Sequence, residues 1–220
     1  MRVEDITEEV LDNHIDNIID IVKSIKKNKV TVLVGANGTG KSLIRKQMAV
    51  RFVKEFEDNK THCRTISMQL RTELRSDWGA LACMGHDNPD EPTSLSSFDL
   101  LKSVMNYDME KSNDYFIILD EVEIGMAKES VLGIAKYLNE KIPEWLKNSL
   151  GVLIITHSDI LAKEIYDNQD CDFINLGYNT INYDINAWIN REIVPTDFSF
   201  LSEWSSALFH RVNDRSRSVK

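Results

Sequence analysis

Hydrophobic and polar positions along the chain form two alternating kinds of segment. Strands are predicted at residues 30–34, about 64–68, 115–119 and 152–156. Several of these are continuously apolar over strand length, as expected of strands covered on both faces. Between them, helix-forming runs predict helices at residues 43–56, 128–141 and 160–166. Strands that alternate with helices indicate an α/β fold of three layers, in which a mostly parallel sheet is flanked by helices.

Helices are also predicted at both ends of the chain. Residues 5–27 form an amphipathic pattern, with Asp5 or Thr7 as the N-cap. We interpret this segment as a helix packed on the edge of the core, with a partner-binding helix as the alternative. Its apolar stripe comprises Leu11, Ile15, Ile18, Val22 and Ile25, widened by Ile19 and Ile21. At the other end, a strand pair around Gly177 (residues 172–176 and 180–183) precedes helices near residues 185–191 and 200–212.

The segment from residue 70 to residue 97 is the least regular part of the chain. It holds several glycines and prolines among acidic residues, and we interpret it as a loop-rich excursion from the core. A helix capped by Ser96 or Ser97 is predicted to continue to Met105. We therefore expect a single domain over residues 1–220, with an N-terminal helix within 1–29 and C-terminal helices within 184–220.

The strongest local motif is a phosphate-binding loop between the first predicted strand and the next helix. The pattern G-x-x-x-x-G-K-[ST] is satisfied at every constrained position from Gly35 to Ser42. Glycines allow backbone N–H groups to wrap closely around the β- and γ-phosphates. Lys41 would supply a point charge to those phosphates, and the Ser42 hydroxyl would ligate Mg²⁺. The predicted nucleotide-binding residues are Gly35, Ala36, Asn37, Gly38, Thr39, Gly40, Lys41, Ser42 and Leu43.

Polar side chains follow three other predicted strands. In a parallel sheet the carboxyl ends of the strands gather at one edge, so these side chains should converge with Lys41 on one crevice. Asp120 is suited to hold Mg²⁺, and Glu121 is suited to act as general base. His157 could stabilise the charge of the γ-phosphate, and Gln69 could bridge Mg²⁺ and the attacking water. The alternatives are a solvated turn residue for Glu121, a structural role for His157 and a turn-closing role for Gln69.

At these residues the sequence resembles the ATP-binding-cassette (ABC) class of ATPases, particularly its soluble branch of SMC-like, DNA-repair and OLD-type proteins. The resemblance rests on GANGTGKS, on FIILDE, on the block Glu123-Ile124-Gly125-Met126 and on IITHS. It implies ATP and Mg²⁺ as ligands, and it implies a dimer in which two subunits enclose two ATP molecules. It also identifies residues 70–105 as a reduced form of the family's helical lobe.

The signature segment is the part of the sequence that departs most from the family's pattern. Ser96 lies 24 positions before Asp120 (120 − 96), where the family places the serine of its LSGGQ signature. The resemblance implies that Ser96 caps the γ-phosphate bound by a partner subunit, and a plain helix cap is the alternative. The two glycines of that signature are replaced by Ser97 and Phe98, and no aromatic residue that would stack on adenine can be named from the sequence.

Composition and charge limit the classes of partner. The net charge of −9 argues against a surface broadly matched to nucleic acid or to an anionic membrane, although a local basic patch stays open. The C-terminal Arg211, Arg215, Arg217 and Lys220 are interpreted as a solvated, frayed terminus. Three widely spaced cysteines and the lack of a ~20-residue apolar run favour the cytoplasm. A zinc site built from His62, Cys63, Cys83 and His86 is a minor alternative.

Together these patterns predict an ATPase that binds Mg·ATP, hydrolyses it slowly and uses the cycle as a conformational switch for an unidentified protein partner. A nucleotide-gated assembly module with negligible turnover is the alternative from another class. The ATPase subunit of a membrane transporter is less favoured, because the family's antiparallel β lobe and full signature are missing from the sequence. The preference for ATP over GTP is implied by the resemblance alone.

Overall fold

A six-stranded, mostly parallel sheet forms the centre of the computed structural model, which describes residues 3–55, 62–67, 98–99, 101–102 and 115–218. The strands lie in the order β2-β3-β4-β1-β5-β6, and only the last pair is antiparallel. Their bounds are Val30–Gly35 (β1), His62–Ser67 (β2), Tyr115–Asp120 (β3), Val152–Ile155 (β4), Cys171–Leu176 (β5) and Ile181–Asn182 (β6). The predicted α/β class with a mostly parallel sheet is confirmed.

Helices cover both faces of this sheet. A short 3₁₀ turn at Val3–Asp5 comes first, and none of the described helices is long and apolar enough to cross a membrane. The helices are Glu8–Ser24 (α1), Lys41–Glu55 (α2), Lys128–Trp145 (α3), Asp159–Asn168 (α4), Ile185–Ile189 (α5) and Phe198–Ser218 (α6). Residues 98–99 and 101–102, within the helix predicted to begin at Ser96 or Ser97, are also helical.

The continuous apolar runs of the strands are explained by two core clusters. Along β1, Val30, Val32 and Val34 pack into a cluster with α3, α4 and α5. Leu33 faces the other side and packs with Ile44 of α2 and the inner face of α1. Both clusters therefore need apolar residues from the same strand, and strict alternation with polar residues is lost.

The first helix packs on the core as predicted, but its bounds and its buried face differ in detail. Helix α1 begins after Thr7, whose side chain accepts a hydrogen bond from the N–H of Val10 at 3.3 Å. Ile21 is buried, whereas Ile19 is 36% exposed, so the predicted widening of the apolar stripe is correct on one side only. The buried residues of α1 pack against α2, the sheet and α6, and Ile19 is not among them.

Helix α3 runs four residues past its predicted end, through Pro143. Proline lacks the N–H that would bond the carbonyl of Asn139, and a helix usually ends for that reason. Here Gln169 Nε2 donates to the Asn139 carbonyl at 3.1 Å and replaces the missing bond. Ile142 and Trp145 are buried in the core, which holds the last turn in place.

The C-terminal basic residues correct another prediction. Helix α6 is 21 residues long, and the interpretation of Arg211 and Arg215 as part of a frayed terminus was wrong. Arg211 donates to both carboxylate oxygens of Asp12 at 2.8 and 2.6 Å, and Arg215 donates to Asp16 at 2.8 Å. These pairs attach the C-terminal part of α6 to α1. Most of the segment predicted as a reduced helical lobe (residues 70–105) lies outside the described residues, as do Cys83, His86 and Lys220.

Candidate nucleotide-binding site

The carboxyl ends of β1, β3 and β4 lie side by side. Asp120 is in register with Ile155, and Ile155 is in register with Leu33. Beyond the last paired residues, the N–H of Glu121 donates to the Ile155 carbonyl at 2.8 Å, and the N–H of Thr156 donates to that of Leu33 at 3.1 Å. The phosphate loop, Asp120-Glu121 and His157 therefore meet at one edge of the sheet. This is the convergence that parallel strands predict.

The phosphate loop has the backbone shape that its glycines permit. Gly38 has φ +77° and Gly40 has φ +96°, a left-handed region that side chains rarely adopt. At Gly38, moreover, a Cβ would lie 2.5 Å from Leu201 Cδ1 of helix α6. Helix α2 begins at Lys41, directly after the loop. Its first N–H groups and its positive dipole end are thus placed to meet an anion.

Three aromatic side chains hold the outside of this loop. Tyr178 Oη donates to the Asn37 carbonyl at 2.7 Å, Trp204 Nε1 donates to the Gly38 carbonyl at 3.1 Å, and His14 Nε2 lies 2.9 Å from the Thr39 carbonyl. We call His14, Tyr178 and Trp204 the aromatic clamp. In a planar trans peptide the N–H points away from the carbonyl. The clamp therefore leaves the N–H groups of Gly38, Thr39 and Gly40 on the opposite side of the loop, as phosphate binding requires.

The members of the aromatic clamp also contact one another. The rings of His14 and Trp204 are 5.1 Å apart between centroids, and those of Tyr178 and Trp204 are 5.3 Å apart, both edge to face. His14 is fully buried, and burial lowers its pKa, so the neutral ring donates its Nε2–H to the carbonyl. None of these three residues was predicted from the sequence as part of the site. Only His14 carried a signal, because it lies on the apolar stripe between Leu11 and Ile18.

Lys41 is folded against the loop that it follows. Its side chain is buried, and Nζ donates to the carbonyls of Gly35 and Ala36 at 3.0 and 2.9 Å. Burial lowers the pKa of Lys41 to about 8, although the charges of Glu121 and Asp120 oppose the shift. The ammonium group thus occupies a site of low hydration, where a phosphate oxygen would interact with it more strongly than in water.

Asp120 is paired with a residue that sequence analysis did not identify. Arg45, one helical turn after Lys41, places Nη1 2.5 Å from Asp120 Oδ2, and the Asp120 side chain is only 2% exposed. The Ser42 side chain is exposed at the start of α2. A hydroxyl and a carboxylate are oxygen donors, which fit Mg²⁺ when phosphates and water supply its remaining ligands. Among the described residues no group of three or more His, Cys, Asp or Glu side chains could hold a metal by itself.

Glu121 and His157 form a pair beside the loop. His157 Nε2 lies 3.0 Å from Glu121 Oε1, with the Glu121 side chain 9% exposed and that of His157 37% exposed. Glu121 is therefore not the solvated turn residue of the alternative interpretation. Its backbone has φ +53°, which costs a residue with a side chain roughly 1–2 kcal/mol. Strain of this kind is common at functional sites, where surrounding contacts hold it.

Glu123 holds the backbone at Thr156 and His157 in place. It is buried, and its Oε1 accepts hydrogen bonds from the hydroxyl of Thr156 and, at 3.2 Å, from the N–H of His157. Burial raises the pKa of Glu123 despite these bonds. The carboxylate thus fixes the backbone on which His157 stands. In the sequence, Glu123 was identified only as part of the family block.

A cavity of about 310 Å³ lies beside the phosphate loop, and the predicted metal ligand Asp120 is not among the residues that line it. Predicted site residues form one wall: Asn37, Gly38, Gly40, Lys41, Ser42, Leu43, Glu121 and His157. Lys46 of α2 and one face of α6 complete it, and neither was predicted from the sequence. Thr39 lies behind the loop, buried, with its hydroxyl donating to the Ala36 carbonyl at 2.9 Å. Gln69 and Ser96 fall outside the described residues, so their roles stay predictions.

Comparisons with known proteins find similarity only at the level of structure. No family model matches the sequence, and no curated protein is significantly similar to it. One similar structure is the dimeric MJ0796, a bacterial ABC transporter cassette, at 12% identity and TM-score 0.46 over 73% of this chain and 87% of that one. Another is CbiO1 from Clostridium perfringens, part of the ABC transporter complex CbiONQ. It has 16% identity and a TM-score of 0.43 over 76% of this chain and 81% of that one. At this level of similarity, the activity and assembly of the present chain are matters for proposal.

Proposed function

We propose that this protein is an ABC-type ATPase that binds Mg·ATP on the loop from Gly35 to Ser42 and hydrolyses it. The observation that carries the proposal is the meeting, in one cavity, of the buried Lys41 ammonium and the Glu121–His157 pair. Phosphoryl transfer needs positioned charge more than covalent chemistry. A cation, a carboxylate and an imidazole around one cavity provide such positioned groups.

Each residue has a role that follows from its position. The loop N–H groups bind the phosphates, and Lys41 exchanges its two carbonyl contacts for phosphate oxygens. Ser42 and Asp120 would hold Mg²⁺, which would supply positive charge to stabilise the phosphates. Glu121 accepts a proton from the attacking water. His157 orients the Glu121 carboxylate across 3.0 Å, and its ring N–H can instead turn to the γ-phosphate when nucleotide is bound.

Replacement of Glu121 by glutamine tests the catalytic role. Glu121→Gln keeps the shape of the side chain and removes the proton acceptor, so phosphate release should fall about 100-fold or more. Nucleotide affinity should persist. Glu129→Gln on α3, an exposed carboxylate away from the cavity, is the matched control and should hydrolyse ATP like the wild type. Equal phosphate release by wild type and Glu121→Gln would remove the general base from the proposal.

A second candidate function is a nucleotide-gated assembly module with negligible turnover. The contact between Arg45 and Asp120 favours it, because the guanidinium group competes with Mg²⁺ for the carboxylate. Steady-state phosphate release by the wild type distinguishes the two functions. Release no faster than in Glu121→Gln, with Mg·ATP bound, would favour the module.

We further propose that ATP drives formation of a homodimer, with Ser96 of each subunit capping the γ-phosphate of the other. The sequence predicts Ser96 at the start of a helix, and a serine in that position can donate to a phosphate. Glu121→Gln should have the mass of a dimer in light scattering with Mg·ATP and a smaller mass with Mg·ADP. Equal mass with both nucleotides, well above ~10 μM protein, would contradict the dimer and leave the nucleotide site standing.

A further inference from the structure

We propose that Phe209 of helix α6 is the platform on which the nucleobase of the bound nucleotide stacks. The proposal rests on the proposed function, since the loop must first hold the phosphates. It assigns the part of the ligand that the sequence left without a partner.

One face of α6 lines the cavity. Ser205, Leu208, Phe209 and Val212 all contribute to its wall, and their spacing of three, four and seven residues places them on the same side of the helix. Leu208 is 7% exposed and packs into the cluster between α1 and α6. Phe209 is 65% exposed although it is large and apolar. Unlike the similarly exposed Phe198, Phe209 contributes its ring to the wall of this cavity, where a flat ligand could pack on it.

The position of this face is fixed by the aromatic clamp. Trp204 is buried and bonded to the Gly38 carbonyl, so α6 cannot shift without breaking a contact to the phosphate loop. Ser205 Oγ would lie 3.1 Å from a Cβ placed on Gly38, which shows how closely the helix approaches the loop. Phe209 follows Trp204 by five residues, roughly 7.5 Å along the helix axis. The helix therefore carries Phe209 at a fixed place beside the loop.

Chemical complementarity identifies the occupant. The polar wall formed by the loop, Lys41, Glu121 and His157 matches the phosphates and the attacking water. The apolar wall formed by Leu208, Phe209 and Val212 matches the one flat, apolar part of a nucleotide, its base. Aromatic rings stack on any nucleobase through its π-face. The platform accordingly holds adenine and guanine alike, and a larger ring system gains more contact than a pyrimidine.

The test separates contacts to the base from contacts to the phosphates. Calorimetry would compare ADP with inorganic tripolyphosphate, both with Mg²⁺, on the wild type, Phe209→Ala and Phe209→Trp. Loss of the ring should weaken ADP binding about five- to 150-fold, the range of base–aromatic stacking, and should leave tripolyphosphate binding unchanged. Phe209→Trp should retain ADP binding, because an indole offers an equal or larger stacking surface.

Phe198 provides a matched control. It is a 77% exposed phenylalanine at the start of the same helix and is absent from the cavity wall, so Phe198→Ala should bind both ligands like the wild type. Unchanged ADP affinity in Phe209→Ala would overturn the platform, as would an equal loss for tripolyphosphate. A wild type that binds tripolyphosphate but gains nothing from the base would overturn the platform and keep the phosphate loop. A wild type that binds neither ligand would overturn the proposed function and the platform together.

Discussion

Trp204→Phe should weaken nucleotide binding although Trp204 is not expected to touch the nucleotide. The substitution keeps an aromatic ring in the cluster with Phe200 and removes the Nε1–H that bonds the Gly38 carbonyl at 3.1 Å. Without this donor the loop keeps the bonds from Tyr178 and His14 but loses the one that orients the Gly38 carbonyl. The loop must then be ordered again each time phosphate binds.

The contacts of Trp204 set the expected magnitudes. A single hydrogen bond contributes about 0.5–1.5 kcal/mol net, which corresponds to a two- to twelvefold loss of nucleotide affinity if the bond only orders the loop. The free energy of unfolding should fall by more, about 2–4 kcal/mol, because Trp204 is fully buried and the smaller ring leaves a cavity. Stability and affinity are therefore expected to change by different amounts.

Urea unfolding and calorimetry with Mg·ADP measure the two quantities. Trp145→Phe is the matched control, since Trp145 is a 2% exposed tryptophan in the cluster on the other face of the sheet. It should lose about 1–3 kcal/mol of unfolding free energy and keep wild-type affinity for ADP. If both variants are destabilised and both bind ADP like the wild type, the bond to Gly38 does not order the loop.

Two further predictions concern the charged groups of the site. Because the Lys41 pKa is lowered to about 8 without ligand, triphosphate affinity should be constant below about pH 8 and fall as the pH rises through it, where the ammonium deprotonates. Calorimetry across pH 6–10 checks this, and Lys41→Ala should bind more weakly and lose the pH dependence; a wild-type profile flat through pH 9 would contradict the lowered pKa. Arg45→Met should lower the Mg²⁺ concentration that half-saturates ATP binding, because the guanidinium group no longer competes for Asp120. A higher Mg²⁺ requirement in titrations of this variant would instead show that Arg45 positions the carboxylate for the metal.

Sequence patterns predicted the fold well where a segment's environment is uniform along its length. The strands Tyr115–Asp120 and Val152–Ile155 are apolar throughout because both faces are covered, and each was predicted to within one residue at either end. Bounds were wrong where a distant side chain decides them. Helix α3 continues past Pro143 because Gln169 donates to the Asn139 carbonyl that proline leaves unpaired. A prediction from the local sequence does not include a residue as distant as Gln169.

The same distinction applies to the site. A phosphate loop and the residues that follow parallel strands can be located from sequence, because local spacing and sheet topology determine their positions. Side-chain contacts between elements that are distant in the sequence cannot be located in this way. Arg45 meets Asp120 across 75 positions, and Arg211 meets Asp12 across 199. Such pairs depend on the packing of α1, α2 and α6, so the charges that restrain the site became visible only in three dimensions.

The aromatic clamp has a consequence for the order of events during synthesis. Trp204 follows Gly38 by 166 positions and Tyr178 follows Asn37 by 141. At translation rates of 5–20 residues per second, the phosphate loop is made roughly 8–33 s before the tryptophan that holds it. A ribosome-bound chain thus carries the complete glycine motif without its restraints. Full nucleotide affinity should therefore appear only after α6 has emerged and docked, and a nascent chain should bind nucleotide more weakly than the finished protein.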